Sequence, residues 1–426
     1  MARLLSLLFV LLAQASSAQA PGDRHSLTIE LYLDHASGTS DFGPWTDGAS
    51  GKLRFDATGS ELSATRLLFD YRARLAPTWF ATLDLDYVPD ASSGIDFTEA
   101  FLQWRPIPSG SLRQRMRFGA LYPPFSLENG DQGWASPFTT SFSAINSWLG
   151  EEIRPLAVEW TADRRMGFPG SPHELGAFAA TFFANDPAGT LLFWRGFAVH
   201  DRQSRIADRL PMPPAPVFEN GAVTGYREQS LEPFAEIDHR PGFYAGIKWQ
   251  YAERALLQLA SWDNRADPAS YSDGQWSWRT KFRQLSSQLD LPAGFGLITQ
   301  WMRGDTHWFI RTGPNGTLTP LSELVDDDFE AWFVLLTKRF GNAQRITLRH
   351  DRFQMDRGTE LGIDSGDAWT IAYRFEPTRR MTLSLEWLRI DSDRQLRERL
   401  YASPANSSER MRRLQWRLRF GPAMQH

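Results

Sequence analysis

The segment Arg412-Arg-Leu-Gln-Trp-Arg-Leu-Arg-Phe420 decides the fold class. In it Leu414, Trp416, Leu418 and Phe420 alternate with Arg413, Gln415, Arg417 and Arg419. Period two is the mark of a β-strand, whose successive side chains point to opposite faces. The same alternation sets Trp369, Ile371, Tyr373 and Phe375 against Thr370, Ala372, Arg374 and Glu376, and Met381, Leu383, Leu385 and Trp387 against Thr382, Ser384 and Glu386. Upstream, Leu67, Phe69, Tyr71 and Ala73 oppose Arg66, Asp70, Arg72 and Arg74, and Ala81, Leu83, Leu85 and Tyr87 oppose Thr82, Asp84 and Asp86. One face is apolar and the other is charged.

Alternation alone fits a soluble sandwich as well as a barrel, so the connections decide. Short breaks at 76–77, 107–111, 252–254, 291–294, 341–343 and 376–380 alternate with long polar stretches at 35–60, 124–153, 187–241, 306–327, 355–366 and 392–407. Transmembrane barrels have this asymmetry, with short periplasmic turns and long external loops. The expectation is an all-β chain: a transmembrane antiparallel β-barrel of sixteen strands near 26–34, 61–75, 78–87, 95–106, 112–123, 154–165, 173–186, 242–251, 255–264, 275–290, 294–305, 328–340, 344–354, 367–375, 381–391 and 408–420. The apolar run 191–199 is either a loop segment folded over the barrel or, with a partner in 203–240, a further hairpin making eighteen strands.

Composition agrees with this reading. The 426 residues include 17 Trp and 29 Phe but no Cys, which excludes disulfide scaffolds, thiolate metal sites and cysteine nucleophiles. An aromatic-rich chain with mean hydropathy of −0.40 is what a closed sheet with a lipid-facing and a water-facing side requires. Residues 1–20 read as a cleaved signal peptide: Arg3, an apolar stretch from Leu4 to Ala13, and Ala18-Gln19-Ala20 as the small-x-small site. No later stretch is apolar enough for a spanning helix. Export through the inner membrane of a Gram-negative bacterium and a single barrel over 21–426, with 421–426 as a short periplasmic tail, follow as the expected organisation.

If the apolar series meets lipid, the interleaved series faces the lumen. Its basic members are the pore-lining candidates: Arg72, Arg74, Arg113, Arg115, Arg117, Lys248, Arg279, Lys281, Arg283, Arg374, Arg417 and Arg419. Rings of cations in a pore favour anions, and guanidinium matches phosphate or carboxylate in a bidentate way. Only four of the 46 basic residues are Lys. That bias equally fits a GC-rich coding sequence, or arginines that pair with lumenal carboxylates and hold the barrel in shape.

The stretch 119–153 leaves its strand through Pro123-Pro124. The pattern Ile145, Trp148, Leu149 predicts a short helix over 143–149 with Gly150 as its stop. Here Gly119-x-x-x-x-Pro124-Phe125-Ser126-Leu127-Glu128 resembles the sequence that follows a strand in the phosphate-selective porin family of Gram-negative bacteria. The block 61–106 is similar to that family's early hairpin, and the likeness becomes diffuse beyond about residue 160. The resemblance implies a long loop folded inward at about 124–153, a homotrimer and an anion channel with basic residues along it. Pro124, Phe125, Glu128 and Trp148 are the constriction-loop candidates it points to. The segment 124–150 holds no Lys or Arg, so the family's phosphate-site loop arginines have no counterpart here.

No His-x-x-x-His or Glu-x-x-His pattern marks a metal, no Gly-x-Ser-x-Gly elbow accompanies His200-Asp201 or His350-Asp351, and no phosphate-cradling glycine loop occurs. Asp326–Asp328 reads as a solvated acidic loop. The expected function is passive diffusion of small anionic or neutral solutes through a barrel set in outer-membrane lipid, with a weak anion preference. Neither enzyme activity, cofactor, metal nor nucleic acid enters it. The alternative is a non-conducting barrel whose long loops serve adhesion or assembly.

Overall fold

The structure is a computed structural model, and it describes residues 24–55, 61–91, 94–108, 110–167, 170–213, 230–310, 322–357, 362–401 and 403–421. The expected signal peptide and, beyond Gly421, the expected tail lie outside these residues. Sixteen antiparallel strands close into one barrel. They are β1 His25–Thr39, β2 Ser63–Ala76, β3 Trp79–Tyr87, β4 Ile95–Trp104, β5 Leu112–Ala120, β6 Leu156–Arg165, β7 His173–Phe183, β10 Gly242–Tyr251, β11 Ala255–Asp263, β14 Arg279–Leu291, β15 Phe295–Ile310, β16 Ser322–Phe340, β17 Gln344–Asp356, β18 Ile363–Thr378, β19 Met381–Arg394 and β20 Asn406–Phe420. Two two-residue ribbons, β8 Leu210–Pro211 with β9 Ser230–Leu231 and β12 Tyr271–Ser272 with β13 Gln275–Trp276, lie outside that sheet. Each strand pairs with its neighbour in sequence, and β20 closes on β1 with Leu31 opposite Leu418 and Asp34 opposite Gln415.

Every expected strand is present, but β1 and β15 to β20 run further toward the long connections than expected, whereas β5, β6 and β7 stop two or three residues sooner, where the chain turns into the lumen. Asp326, Asp327 and Asp328 lie on β16, opposite His307, Thr306 and Asp305, and not in a loop. Beyond the bilayer both faces of a strand can be polar, so the hydrophobic marker vanishes while the hydrogen-bond ladder continues.

The burial pattern is inverted relative to a soluble protein. Leu257, Leu259, Leu285, Trp301, Val334, Leu336, Ile346, Leu348, Trp369, Ile371 and Leu385 are exposed, whereas Glu30, Asp34, Asp70, Asp84, Glu159, Gln284, Gln300, Arg349 and Glu386 are buried. Large apolar side chains outside and charges inside cost several kcal/mol each in water but match a barrel whose outer band contacts lipid. No helix among the described residues is long and apolar enough to cross a membrane.

Among the described residues, three α-helices sit on the connections: α1 Ala144–Glu152, α2 Thr190–Arg195 and α3 Gln395–Tyr401. The run 191–199 therefore adds no strands, and the barrel closes at sixteen. An apolar stretch buried on all sides has no period to separate a short helix from a strand. Helix α1 is capped by Ser143, whose hydroxyl accepts from Asn146 N at 3.3 Å. It runs through Gly150, the expected stop, to Glu152; Gly150 lies against the Trp134 ring, where a side chain would be crowded, so the glycine serves packing and not termination.

Candidate functional site: the filled barrel interior

The in-folded segment begins at Gly119, at the loop end of β5. Its φ of +138° and a Cβ position that would collide with the Ala100 carbonyl on β4 both require glycine. Prolines 123 and 124 then take the chain off the wall and turn Phe125 into a set of rings. Tyr244, Phe282, Trp262 and Phe178 surround it at centroid separations of 5.5, 5.6, 6.2 and 6.4 Å. Trp148 on α1 extends the cluster, 5.3 Å from Phe329 and 5.5 Å from Phe282. Along β7, β10, β11, β14 and β16 the inner face is thus aromatic at the level of the segment. The lumenal series read as uniformly polar is locally reversed there, because that sector of the wall packs against protein instead of water.

Opposite the rings, the segment is held by charge. Glu128 accepts from Arg349 Nη1 on β17 at 2.6 Å, from Ser143 N at 2.9 Å and from Asn146 Nδ2 at 2.8 Å. Arg349 also bonds Asp351 at 2.8 Å, the Ser141 carbonyl at 2.6 Å and the Phe142 carbonyl at 2.9 Å. Asp351 accepts from Ala144 N at 3.0 Å, and Glu386 on β19 accepts from Thr140 N at 2.6 Å. At the start of α1, Ala144 N meets the wall carboxylate of Asp351, Asn146 N meets the Ser143 cap and Ser143 N meets Glu128 of the segment itself, the kind of partner that helix N-termini require.

A second segment, 184–208 with α2, lies over the first. Glu152 binds both, accepting from Trp148 Nε1 at 2.6 Å and from Leu191 N at 3.0 Å. Burial pushes the Glu152 carboxyl up to about 7, against the pull of these donors. Its neighbour Glu151 is also buried, but Arg195 and His200, the latter at 3.2 Å, outweigh that burial and hold it at about 2. Burial lowers the His200 pKa. Asp201 is clamped by Arg54 at 2.9 Å and Arg413 at 2.6 Å, which overcome its burial and hold it far below the usual carboxylate range. All nine residues of α1 and all six of α2 are buried. Between the first segment and the wall, a cavity of about 30 Å³ remains, lined by Tyr32, Arg66, Ser136, Phe142, Arg374 and Arg417. That has room for a few waters.

Of the expected pore-lining cations, nine share the inner face. Arg117 and Arg115 approach Glu159 at 2.7 and 3.9 Å, Lys248 approaches Asp163 at 2.8 Å, and Arg72 approaches Asp70 and Asp84 at 2.6 and 3.5 Å. Arg113 pairs with Glu174, and Arg419 with Glu30 at 2.6 Å. Arg374 and Arg417 both reach Asp131 of the in-folded segment, at 3.2 and 2.8 Å. Arg74 is exposed beside the 77–78 turn. The remaining three are corrected: Arg279, Lys281 and Arg283 point outward. They share a face with Leu285, which is 44% exposed, while Thr280, Phe282 and Gln284 between them are buried. Phe282 belongs to the aromatic cluster, and a period-two strand cannot put both series inside.

Arg349, Glu151 and Asp131 were not singled out from the sequence, and Asp351 and Glu386 appeared there only as the neighbour of His350 and as a member of the charged series. Nothing local marks them as partners, and only the closed barrel brings their partners from far along the chain. The two His-Asp neighbours form no dyad: His200 faces Glu151, and His350 on the outer wall lies 3.3 Å from Asp367 of β18. Among the described residues, one acidic trio, Asp186, Glu236 and Asp238, could meet around a cation. Its carboxylates already accept backbone N–H groups from Ile237, Ala184, His239 and Arg240.

No protein-family model matches the chain, and no curated protein matches it in sequence. Solved structures do. The outer membrane channel DcaP of Acinetobacter baumannii superposes with a TM-score of 0.52 at 13% identity, covering 93% of this chain and 97% of that one. The anion-selective porin from Comamonas acidovorans gives 0.51 at 12% identity, over 93% and 100% of the two chains. OmpF of Salmonella typhi, in complex with daunomycin, gives 0.51 at 8% identity over 93% and 98%. The chain therefore has the fold of the outer-membrane porin barrels.

Proposed function

We propose that this protein is an outer-membrane channel for small hydrophilic solutes, of weak anion preference, whose bore is restricted by the two in-folded segments. The observation that carries the reading is the combination of a sixteen-stranded wall, wide enough to enclose a water-filled channel, with a loop fastened across it by Glu128, Arg349 and Glu386. Toward the short-turn end, Arg72, Arg113, Arg115 and Lys248 keep part of their side chains in water, which supports the anion preference. Their pairing with carboxylates limits it. The resemblance to phosphate-selective porins adds a homotrimer, readable by native mass spectrometry of the detergent-solubilised protein.

Purified protein in planar bilayers is expected to give small conductance steps, with a reversal potential in a potassium chloride gradient displaced toward chloride. Cation preference would overturn the selectivity. A second reading is favoured by the burial of α1 and α2: a non-conducting barrel with work done by its external loops. Protein that inserts in the bilayer and never conducts would decide for it.

A further inference from the structure

The outward arginines call for a partner. On β19 and β20, Arg389 stands directly opposite Arg410, and Trp387 opposite Arg412. All three cations share the outer face with Leu385, because Glu386, Leu388 and Ile390 between them on β19, and Met411 and Arg413 on β20, are buried. Arg389 binds Asp391 at 2.8 Å. Among the described residues no carboxylate lies within ion-pair distance of Arg410 or Arg412, and both are exposed. Like charges directly opposite each other in a sheet destabilise it. An arginine level with a lipid-facing tryptophan adds a cost that falls only near the bilayer interface.

Position along the strand is equally informative. At the short-turn end of the same strands, the outward residues are Met381, Leu383, Trp416, Leu418 and Phe420, with no charge among them. The cations stand toward the long loops, with Arg412 level with Trp387 and Arg389 and Arg410 one step further out, all above Leu385 and Leu414. The arrangement recurs across the barrel: Arg283 on β14 is opposite Arg303 on β15, above Leu285 and Trp301, with no carboxylate within ion-pair distance of either among the described residues.

We propose that Arg389, Arg410 and Arg412 form a site on the outer wall for the phosphate groups of an outer-leaflet glycolipid, whose acyl chains lie along Trp387, Leu385 and Leu414. Asp391, Asp367 and Asp393 stand further along the same face toward the loops, but of these only Asp391 reaches one of the three arginines within ion-pair distance. A phosphate bridging Arg389 and Arg410 turns their repulsion into bidentate attraction. The apolar rows beneath select a lipid over a free anion. The inference rests on the reading that the barrel spans an outer membrane with its long loops outside, and not on whether it conducts.

The test measures binding of bisphosphorylated lipid A to the folded, detergent-solubilised full chain by native mass spectrometry, beside the dephosphorylated lipid and inorganic phosphate. The variant Arg389→Gln/Arg410→Gln/Arg412→Gln is expected to bind at least about tenfold more weakly, since each basic residue near an anionic lipid surface contributes appreciably. Arg254→Gln, in a short turn, serves as the charge control and is expected to bind as the parent does. Equal binding of lipid A by the parent and the triple variant would overturn the proposal. So would equal binding of the dephosphorylated lipid, or full competition by millimolar phosphate, which would mark a simple anion site. Arg410→Gln alone, a single exposed change, repeats the comparison if the triple variant folds poorly. Insertion into vesicles is scored separately, so a barrel that fails to insert refutes the membrane reading and not the arginine site.

Discussion

Replacing Arg349 with Gln should loosen the segment that fills the barrel. Its guanidinium is fully buried and holds Glu128 at 2.6 Å, Asp351 at 2.8 Å and the Ser141 and Phe142 carbonyls at 2.6 and 2.9 Å. Removing it strands two buried carboxylates, and breaking one side of a buried ion pair costs about 3–5 kcal/mol. The barrel ladder does not depend on this side chain, so the loss falls on the contact between the segment and β17. It shifts the ratio of lifted to seated segment roughly 10²- to 10⁴-fold. Hydrogen exchange followed by mass spectrometry should show the α1 amides losing protection while strand amides keep theirs, and bilayer recordings should show larger steps. Glu128→Gln/Arg349→Gln removes both charges and should lose less than the two single variants summed. If Arg349→Gln folds and keeps both α1 protection and the parent conductance, the clasp described here does not hold the segment.

Further expectations concern packing, backbone and pH. Phe125→Ala empties the centre of the ring cluster and should cost about 3–5 kcal/mol, read as a lower temperature for loss of heat-modifiable gel migration. Gly119→Val forces a side chain into the Ala100 carbonyl at a φ of +138° and should abolish folding, whereas Gly130→Ala, with open space around it, should be tolerated. Glu152 titrates near 7 when the segment is seated, above its value of about 4.3 in an unfolded chain. The seated form therefore retains the proton, and its hold weakens as pH climbs from about 4.3 toward 7, by about 3 kcal/mol over the whole interval. Conductance should rise across that window, and Glu152→Gln should flatten the rise. Glu151, held at about 2, acts in the opposite sense: its contribution is complete above about 4.3 and is lost as pH falls toward 2.

The closed sheet, its sixteen strands apart from the open question of 191–199, and the alternation of turns and loops were legible from the chain alone. Arg412 to Phe420 and its counterparts carry a period that only a two-faced sheet satisfies, and the connection lengths tell one end of the barrel from the other. The Gly119 to Glu128 motif also announced a segment folded inward. How completely that segment fills the lumen was not legible. Phe125 finds Tyr244 and Trp262, and Glu128 finds Arg349, across more than a hundred residues of sequence, and local pattern has no access to such pairs. Arg279, Lys281 and Arg283 were assigned to the lumen, and the structure turns them outward, for a related reason. Phe282 and its neighbours alternate with them correctly, but the period fixes only that the two series face opposite ways. Which one turns inward depends on what stands in the lumen, and there the tertiary structure places aromatic rings where the sequence suggested water.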